Sequence, residues 1–224
     1  EPLFALTAIL MLGLGAAVTT TVFSVVDAEV WRPLPYPDPH RLVAVYSRDL
    51  APRTDIDGIT LDELADWRRA PGFERLAARG RYRRRTLQLD RAESIAADEV
   101  TANYFLTLGR TARLGRVFND DDAHGSGAVL LTERGWTRLF DASPDAVGRT
   151  VMLDGEARTL VGVVADDDAL GPGPEMYVPI DEGRSAVTVF GAIGRLTADA
   201  TAEAARDQVQ AAITRRAVTD AGRR

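Results

Sequence analysis

The 224-residue chain has no cysteine, and every one of its 27 basic residues is arginine, so lysine is absent as well. Each absence removes a kind of chemistry. Without sulfur there are no thiol nucleophiles, no disulfides and no Cys-based zinc or iron–sulfur site, and without an amine there is no Schiff-base lysine and no phosphate-binding loop of the Walker type. Only two histidines occur, His40 and His124, too far apart for a local motif such as H-E-x-x-H. The six serines include no G-x-S-x-G elbow. A net charge of −6 argues against nucleic acid as a partner, since such proteins usually carry a basic excess. The residues therefore point to no catalytic residue, no cofactor and no metal site.

Charge is also missing locally. From Pro2 to Val26 no residue is charged, whereas the remaining residues carry nearly all the acids and arginines. As a helix, the segment 3–26 would be about 36 Å long, enough for a hydrocarbon core of about 30 Å. It reads as a transmembrane helix, residues 1–27, in preference to a buried soluble helix or a signal peptide. The chain begins Glu1-Pro2, with no basic n-region, and shows no clear cleavage box near Asp27. Gly13 and Ala17, four apart, suggest packing against other membrane helices, with simple tolerance of small residues in lipid as the alternative. The flank from Asp27 to Arg41 lacks the basic excess of a cytoplasmic side, which places the residues after about 27 outside the cytoplasm. The start without Met leads to the expectation that a cytoplasmic stretch precedes Glu1.

Four prolines in the seven residues from Pro33 make residues 28–40 a stiff connector that cannot continue a helix. Within it, Trp31 and Tyr36 flank the membrane exit and suit either the headgroup level or a core. Beyond it, Arg41 to Ser47 reads as a strand. Thr60-Leu-Asp-Glu63 has the form of a capping box that opens a helix to about Arg69, ended by Pro71-Gly72. A strand lies within Phe73 to Leu89 and another in Arg91 to Val100, and Thr101 is expected to cap a short helix, Ala102 to Leu108, with Gly109 just past it. A polar loop, Asn119 to Gly127, precedes a strand from Ala128 to Leu131 and a helix from about Glu133 to Phe140. Asp154-Gly155 between two alternating runs signals a hairpin. Met176 to Ile180 and Ala186 to Leu196 are strand-like, and Ala202, Ala205, Val209, Ala212 and Ile213 mark an amphipathic helix to about Ala217. Strands and short helices mix without a regular βα beat, so the expected class is α+β, a mixed α/β domain behind one membrane helix.

Two patterns invite a site. Arg79, Arg81, Arg83 and Arg85 repeat at period two, which on one extended strand would line four guanidinium groups along one face for an anionic headgroup, acidic partner or anionic substrate. The plainer alternative is a solvated edge face. The acidic triplets Asp120 to Asp122 and Asp166 to Asp168, with Asp55-Ile-Asp57-Gly58, lack the alternating order of a calcium loop and read as solvated charge.

The order of phrases carries more. Arg32-Pro-Leu-Pro-Tyr-Pro-Asp-Pro-His-Arg-Leu-Val43, Val100-Thr-Ala-Asn-Tyr-Phe-Leu-Thr-Leu-Gly109, Leu114-Gly-Arg-Val-Phe118, Leu130-Leu-Thr-Glu-Arg-Gly-Trp-Thr-Arg-Leu-Phe140, Val147-Gly-Arg-Thr-Val-Met-Leu-Asp-Gly155 and Leu160-Val-Gly-Val-Val164 follow one another along nearly the whole chain. Together they resemble the MacB-like, FtsX-like permeases of ABC transporters, nearest to the duplicated acidobacterial-type permeases. The resemblance implies an inner-membrane protein with a two-lobed periplasmic core domain: a porter-like lobe of residues 41–110 and 186–218, an inserted lobe of residues 111–185, and a tail at 219–224. It implies a non-catalytic permease component whose extracytoplasmic domain couples cytoplasmic ATP hydrolysis to export or mechanical work. Its partners would be a separate ATPase subunit, a second permease copy, membrane lipid, and a periplasmic adaptor or substrate. The segment Asp166 to Pro174 is shorter than in relatives. The competing reading is a membrane-anchored extracytoplasmic binding or sensor domain outside any transporter.

Overall fold

In a computed structural model, the structure describes Met11, Gly13 and residues 36–45, 58–166, 173–183 and 187–221. Residues 36–224 form one compact unit, separate from residues 1–35. Among the described residues no helix is long and apolar enough to cross a membrane, and the expected span 3–26 lies outside them apart from Met11 and Gly13. Nothing comes within 4 Å of where a Cβ on Gly13 would stand, and Ala17 is not among the described residues.

The described residues form twelve strands and four α-helices. The strands are β1 (Leu42–Val45), β2 (Ile59–Thr60), β3 (Phe73–Arg79), β4 (Arg83–Gln88), β5 (Ala92–Val100), β6 (Leu114–Gly115), β7 (Ala128–Thr132), β8 (Thr150–Leu153), β9 (Glu156–Val164), β10 (Met176–Pro179), β11 (Thr188–Val189) and β12 (Gly191–Leu196). The helices are α1 (Leu61–Arg68), α2 (Tyr104–Leu108), α3 (Glu133–Phe140) and α4 (Ala202–Ala221). Ten strands join in one mixed sheet in the order β1-β12-β3-β5-β10-β7-β9-β8-β4, with β6 against β9, and β4 pairs back onto β5. That last pairing closes β5, β10, β7, β9, β8 and β4 into a six-stranded barrel, from which β3, β12 and β1 extend as an open sheet. Parallel pairs occur only at β5–β10 and β7–β9, in line with the α+β class.

Three cores follow from strand alternation. Inward residues Leu87, Ile95, Ala97, Val129, Leu131, Val151, Leu153, Leu160, Met176 and Val178 fill the barrel, which is too narrow to be hollow. Trp136, Leu139 and Phe140 of α3 pack against this core. The outer faces of β5, β7, β9 and β10, together with Ala77 of β3, pack on Tyr104, Phe105 and Leu108 of α2 and on Phe118. The third core lies on one face of β3 and β12, under α1 and α4. There Leu61, Leu64 and Trp67 repeat every three residues and meet Ala205, Val209 and Ala212. Val43 and Val45 of β1 pack against the same core.

Local chemistry explains the element ends. The Thr60–Glu63 capping box forms, with the Glu63 N–H donating to Thr60 Oγ1 at 3.2 Å and the Thr60 N–H to Glu63 Oε2 at 2.7 Å. Asp154 and Gly155 both have positive φ, 51° and 85°, the turn that matches strand twist between β8 and β9. Gly109 ends α2 in the left-handed region, φ 69°.

Several expectations need correction. Thr101 does not cap α2: its Oγ1 accepts the Ala78 N–H at 2.9 Å and donates to Asn103 Oδ1 at 2.8 Å, so the hydroxyl is spent tying β3 to the loop, and the helix starts at Tyr104. The stretch Ala186 to Leu196 is not one strand. Val189 pairs with β2 in a small separate sheet, whereas Gly191 joins the large one. The terminal helix runs to Ala221 rather than Ala217.

Candidate functional site: an arginine-lined barrel mouth

The arginine row is split by one residue of register. Arg79 of β3 stands opposite Val100, and Arg83 of β4 stands opposite Ala97. Four residue steps on one side therefore match three on β5. A slip of one residue sends side chains to the other face. Arg79 is on the outer face of β5 and ion-pairs with Asp98, whereas Arg83 and Arg85 point inward and share Glu99. Arg81, in the connection, lies over the Phe190 ring, 5.4 Å from its centroid. The four arginines thus form no common face.

Asp98 is fully buried, and its Oδ1 has no hydrogen-bond partner. Burial pushes its carboxyl up to about 6, against the pull of Arg79. Arg79 stays protonated: burial lowers its pKa, but the charge and hydrogen bond of Asp98, with Tyr104 and Tyr177, together raise it above the usual value. Asp98 is therefore the member of this pair that titrates.

Inside the barrel, β4 reads Arg83, Arg85, Leu87 on its inward face, so apolar filling gives way to guanidinium toward one end. The same change occurs on β9, where Arg158 precedes Leu160. These ends open on a cleft of about 490 Å³ lined by Arg83, Arg85, Glu99, Arg158, Val178 and Asp181, among others. Arg83 donates through Nη2 to Glu99 Oε1 at 2.7 Å, and Arg85 donates through Nη2 to the same oxygen and through Nη1 to Asp154 Oδ2 at 3.3 Å. Arg158 pairs with Glu156 on its own strand. The Nε–H groups of Arg85 and Arg158 are buried without any partner. Among the described residues, the ionisable groups lining the cleft are guanidinium and carboxylate, an arrangement that binds and orients charge.

One member of each acidic triplet has a structural role. Asp122 is buried and accepts from Arg116 Nη1 at 2.6 Å, the Asn119 N–H at 2.9 Å and Ser126 Oγ at 2.8 Å. These bonds hold its carboxyl below the usual range in spite of burial, which alone would raise it. Asp166 accepts the Arg134 N–H at 3.0 Å. Among the described residues no group of three or more acids or histidines could hold a metal ion. Tyr36 packs against the α2 core, under the guanidinium of Arg110 at 5.8 Å, while Trp31 lies outside the described residues.

Sequence reasoning found Arg83 and Arg85 but missed Arg158 and Glu99. The available signal was the alternation Glu156, Arg158, Leu160, which puts charge on the strand face that turns apolar at Leu160. It becomes readable only when the barrel shows that the two strands share an interior.

The fold is shared with extracytoplasmic domains of transporter proteins. The periplasmic region of MacB from Actinobacillus actinomycetemcomitans is similar with a TM-score of 0.59 at 15% identity, over 75% of this chain and 79% of that one. The extracellular domain of the noncanonic ABC-type transporter YknZ from Gram-positive bacteria follows at 0.54 and 17%, over 76% and 86%. A domain of a permease protein from Porphyromonas gingivalis gives 0.53 and 18%, over 75% and 80%. No curated protein sequence matches the chain. The chain belongs to the MacB-like periplasmic core domain family, whose profile matches residues 5–216.

Proposed function

We propose that this chain is the first membrane helix and extracytoplasmic domain of an ABC-transporter permease, a non-catalytic part that turns cytoplasmic ATP hydrolysis into movement outside the membrane. The observation that carries the reading is the family match, which extends over residues 5–216 and so includes most of the apolar segment 3–26 as well as the domain. A separate ATPase would drive it through the full-length permease, with a second permease copy beside it, lipid around the helix, and an adaptor or substrate outside. In this reading the porter-like lobe comprises residues 41–110 and 186–218, and residues 111–185 form an inserted lobe. The packing of β1 and α4 into one core supports joining the first and last segments of the domain in one lobe. A force entering by either would reach the barrel through β3, β5 and α2.

The absence of cysteine supplies the test. Tyr82, exposed on the β3–β4 connection, is replaced in Tyr82→Cys, and intact spheroplasts are treated with a membrane-impermeant maleimide. Labelling before lysis is expected, at a rate that changes when the full-length permease and its ATPase are trapped with ATP. Labelling only after lysis would refute the placement, and a rate indifferent to nucleotide would refute the coupling.

A further inference from the structure

The barrel mouth carries two of its arginines deeper than the carboxylates that pair with them. Side-chain exposure is 10% for Arg85 and 18% for Arg158, against 20% for Glu99, and Asp181 lines the same cleft half-buried. The other partners stand in solvent: Glu156 is 70% exposed and Asp154 44%. Water screens those two, so they neutralise the buried guanidiniums poorly. Glu99 must also serve Arg83. Two buried Nε–H groups left without a partner complete the picture, because a buried donor of a charged group is normally satisfied.

From this geometry we infer that the barrel mouth is a binding site for a small oxyanion, a carboxylate or phosphate group, held between Arg85 and Arg158 with Arg83 at the rim. The guanidinium fork matches both oxyanions in shape and charge. Val178 of β10 and Ile180 just past its end form an apolar wall beside the charges, and the cleft of about 490 Å³ admits such a group with the body that carries it. Arg158 moves its free donors toward the cleft when the anion enters, and the weak exposed pair with Glu156 gives way. The inference does not rest on the transporter reading: a permease or a sensor could hold an anion here.

The test uses the whole 224-residue chain in a neutral detergent, with thermal unfolding followed in sodium phosphate, in sodium acetate and in sodium chloride at matched ionic strength. A dissociation constant of about 0.1–1 mM is expected, so 10 mM of the preferred oxyanion raises Tm by several degrees beyond chloride. A response to phosphate alone identifies a phosphate site, a response to acetate alone identifies a carboxylate site, and no response beyond chloride overturns the proposal. Arg158→Met is expected to abolish the response and to raise Tm in chloride, because it removes a poorly compensated buried charge and keeps the apolar stem. If that variant does not fold, Arg83→Gln decides, with binding expected to weaken at least about threefold. Arg91→Met, at an exposed pair away from the mouth, should leave the response intact. A response that survives in Arg158→Met, or an affinity that is unchanged in Arg83→Gln when the first variant fails to fold, would overturn the assignment.

Discussion

The Asp98 carboxyl should make this domain less stable as pH rises through the weakly acid range, opposite to the usual behaviour of paired carboxylates. Its ordinary value is 3.8 and its folded value is about 6. Between these two values the folded state binds the proton and the unfolded state does not, so stability present below pH 3.8 is lost as pH rises through 6. The difference corresponds to about 3 kcal/mol, or roughly 6–12 °C in Tm for a domain of this size. The physical source is visible: the carboxylate is fully buried, one oxygen has no partner, and Arg79 neutralises it from a position that is itself 37% exposed. Asp98→Asn approximates the protonated acid in shape and charge. The assay is urea unfolding of the chain in detergent, followed by tryptophan fluorescence, at pH 4, 5, 6 and 7 for both proteins. The variant is expected to match the native protein at pH 4 and to exceed it by about 2–3 kcal/mol at pH 7, with the difference growing mainly between pH 4 and 6. Arg79, left without its partner, is open enough for water to solvate it. The reasoning is refuted if the difference is flat across pH, or if Asp98→Asn is the less stable protein at pH 7.

Two further predictions concern the frame that carries the site. Thr60→Val keeps the shape but removes the hydroxyl of the capping box, and should lower stability by about 1–2 kcal/mol in chemical unfolding, whereas Asp62→Asn, two positions on and outside the box, should change it by less than about 0.5 kcal/mol. Gly135→Ala would place a Cβ 2.2 Å from the Glu175 carbonyl oxygen, so α3 must move off β10, and a loss of about 3 kcal/mol with a fluorescence change at Trp136 is expected. An unchanged midpoint would show that α3 can shift without disturbing the barrel end.

The elements of this protein were legible wherever a local rule is strong. The Thr60 capping box, the Asp154-Gly155 turn, the Gly109 helix end and the limits of α3 depend on residues within a few positions of one another, so the chain itself states them. The family phrases were equally legible, and the match over residues 5–216 agrees with them. Thr101 shows where local reasoning stops. A threonine before an apolar helix is a sound cap by position, but the backbone of β3 lies closer and takes the hydroxyl.

The arginine site divides in the same way. Composition by itself determined that arginine is the only basic side chain and that thiol and amine chemistry are absent, because these are facts of which atoms exist. Period two in the sequence said that arginines would share a face, which holds for Arg83 and Arg85. Only the tertiary structure decided that Arg79 and Arg81 fall elsewhere, since a single extra residue against β5 reverses the facing of everything before it, and no propensity marks that residue. Only barrel closure decided that Arg158, more than seventy positions away from Arg85, opens on the same cleft. A strand's sequence encodes the alternation of its own side chains; which strands face one another across an interior is set by the long-range pairing of β4 with β5 and of β7 with β9, where side-chain packing summed over the whole barrel outweighs any local preference.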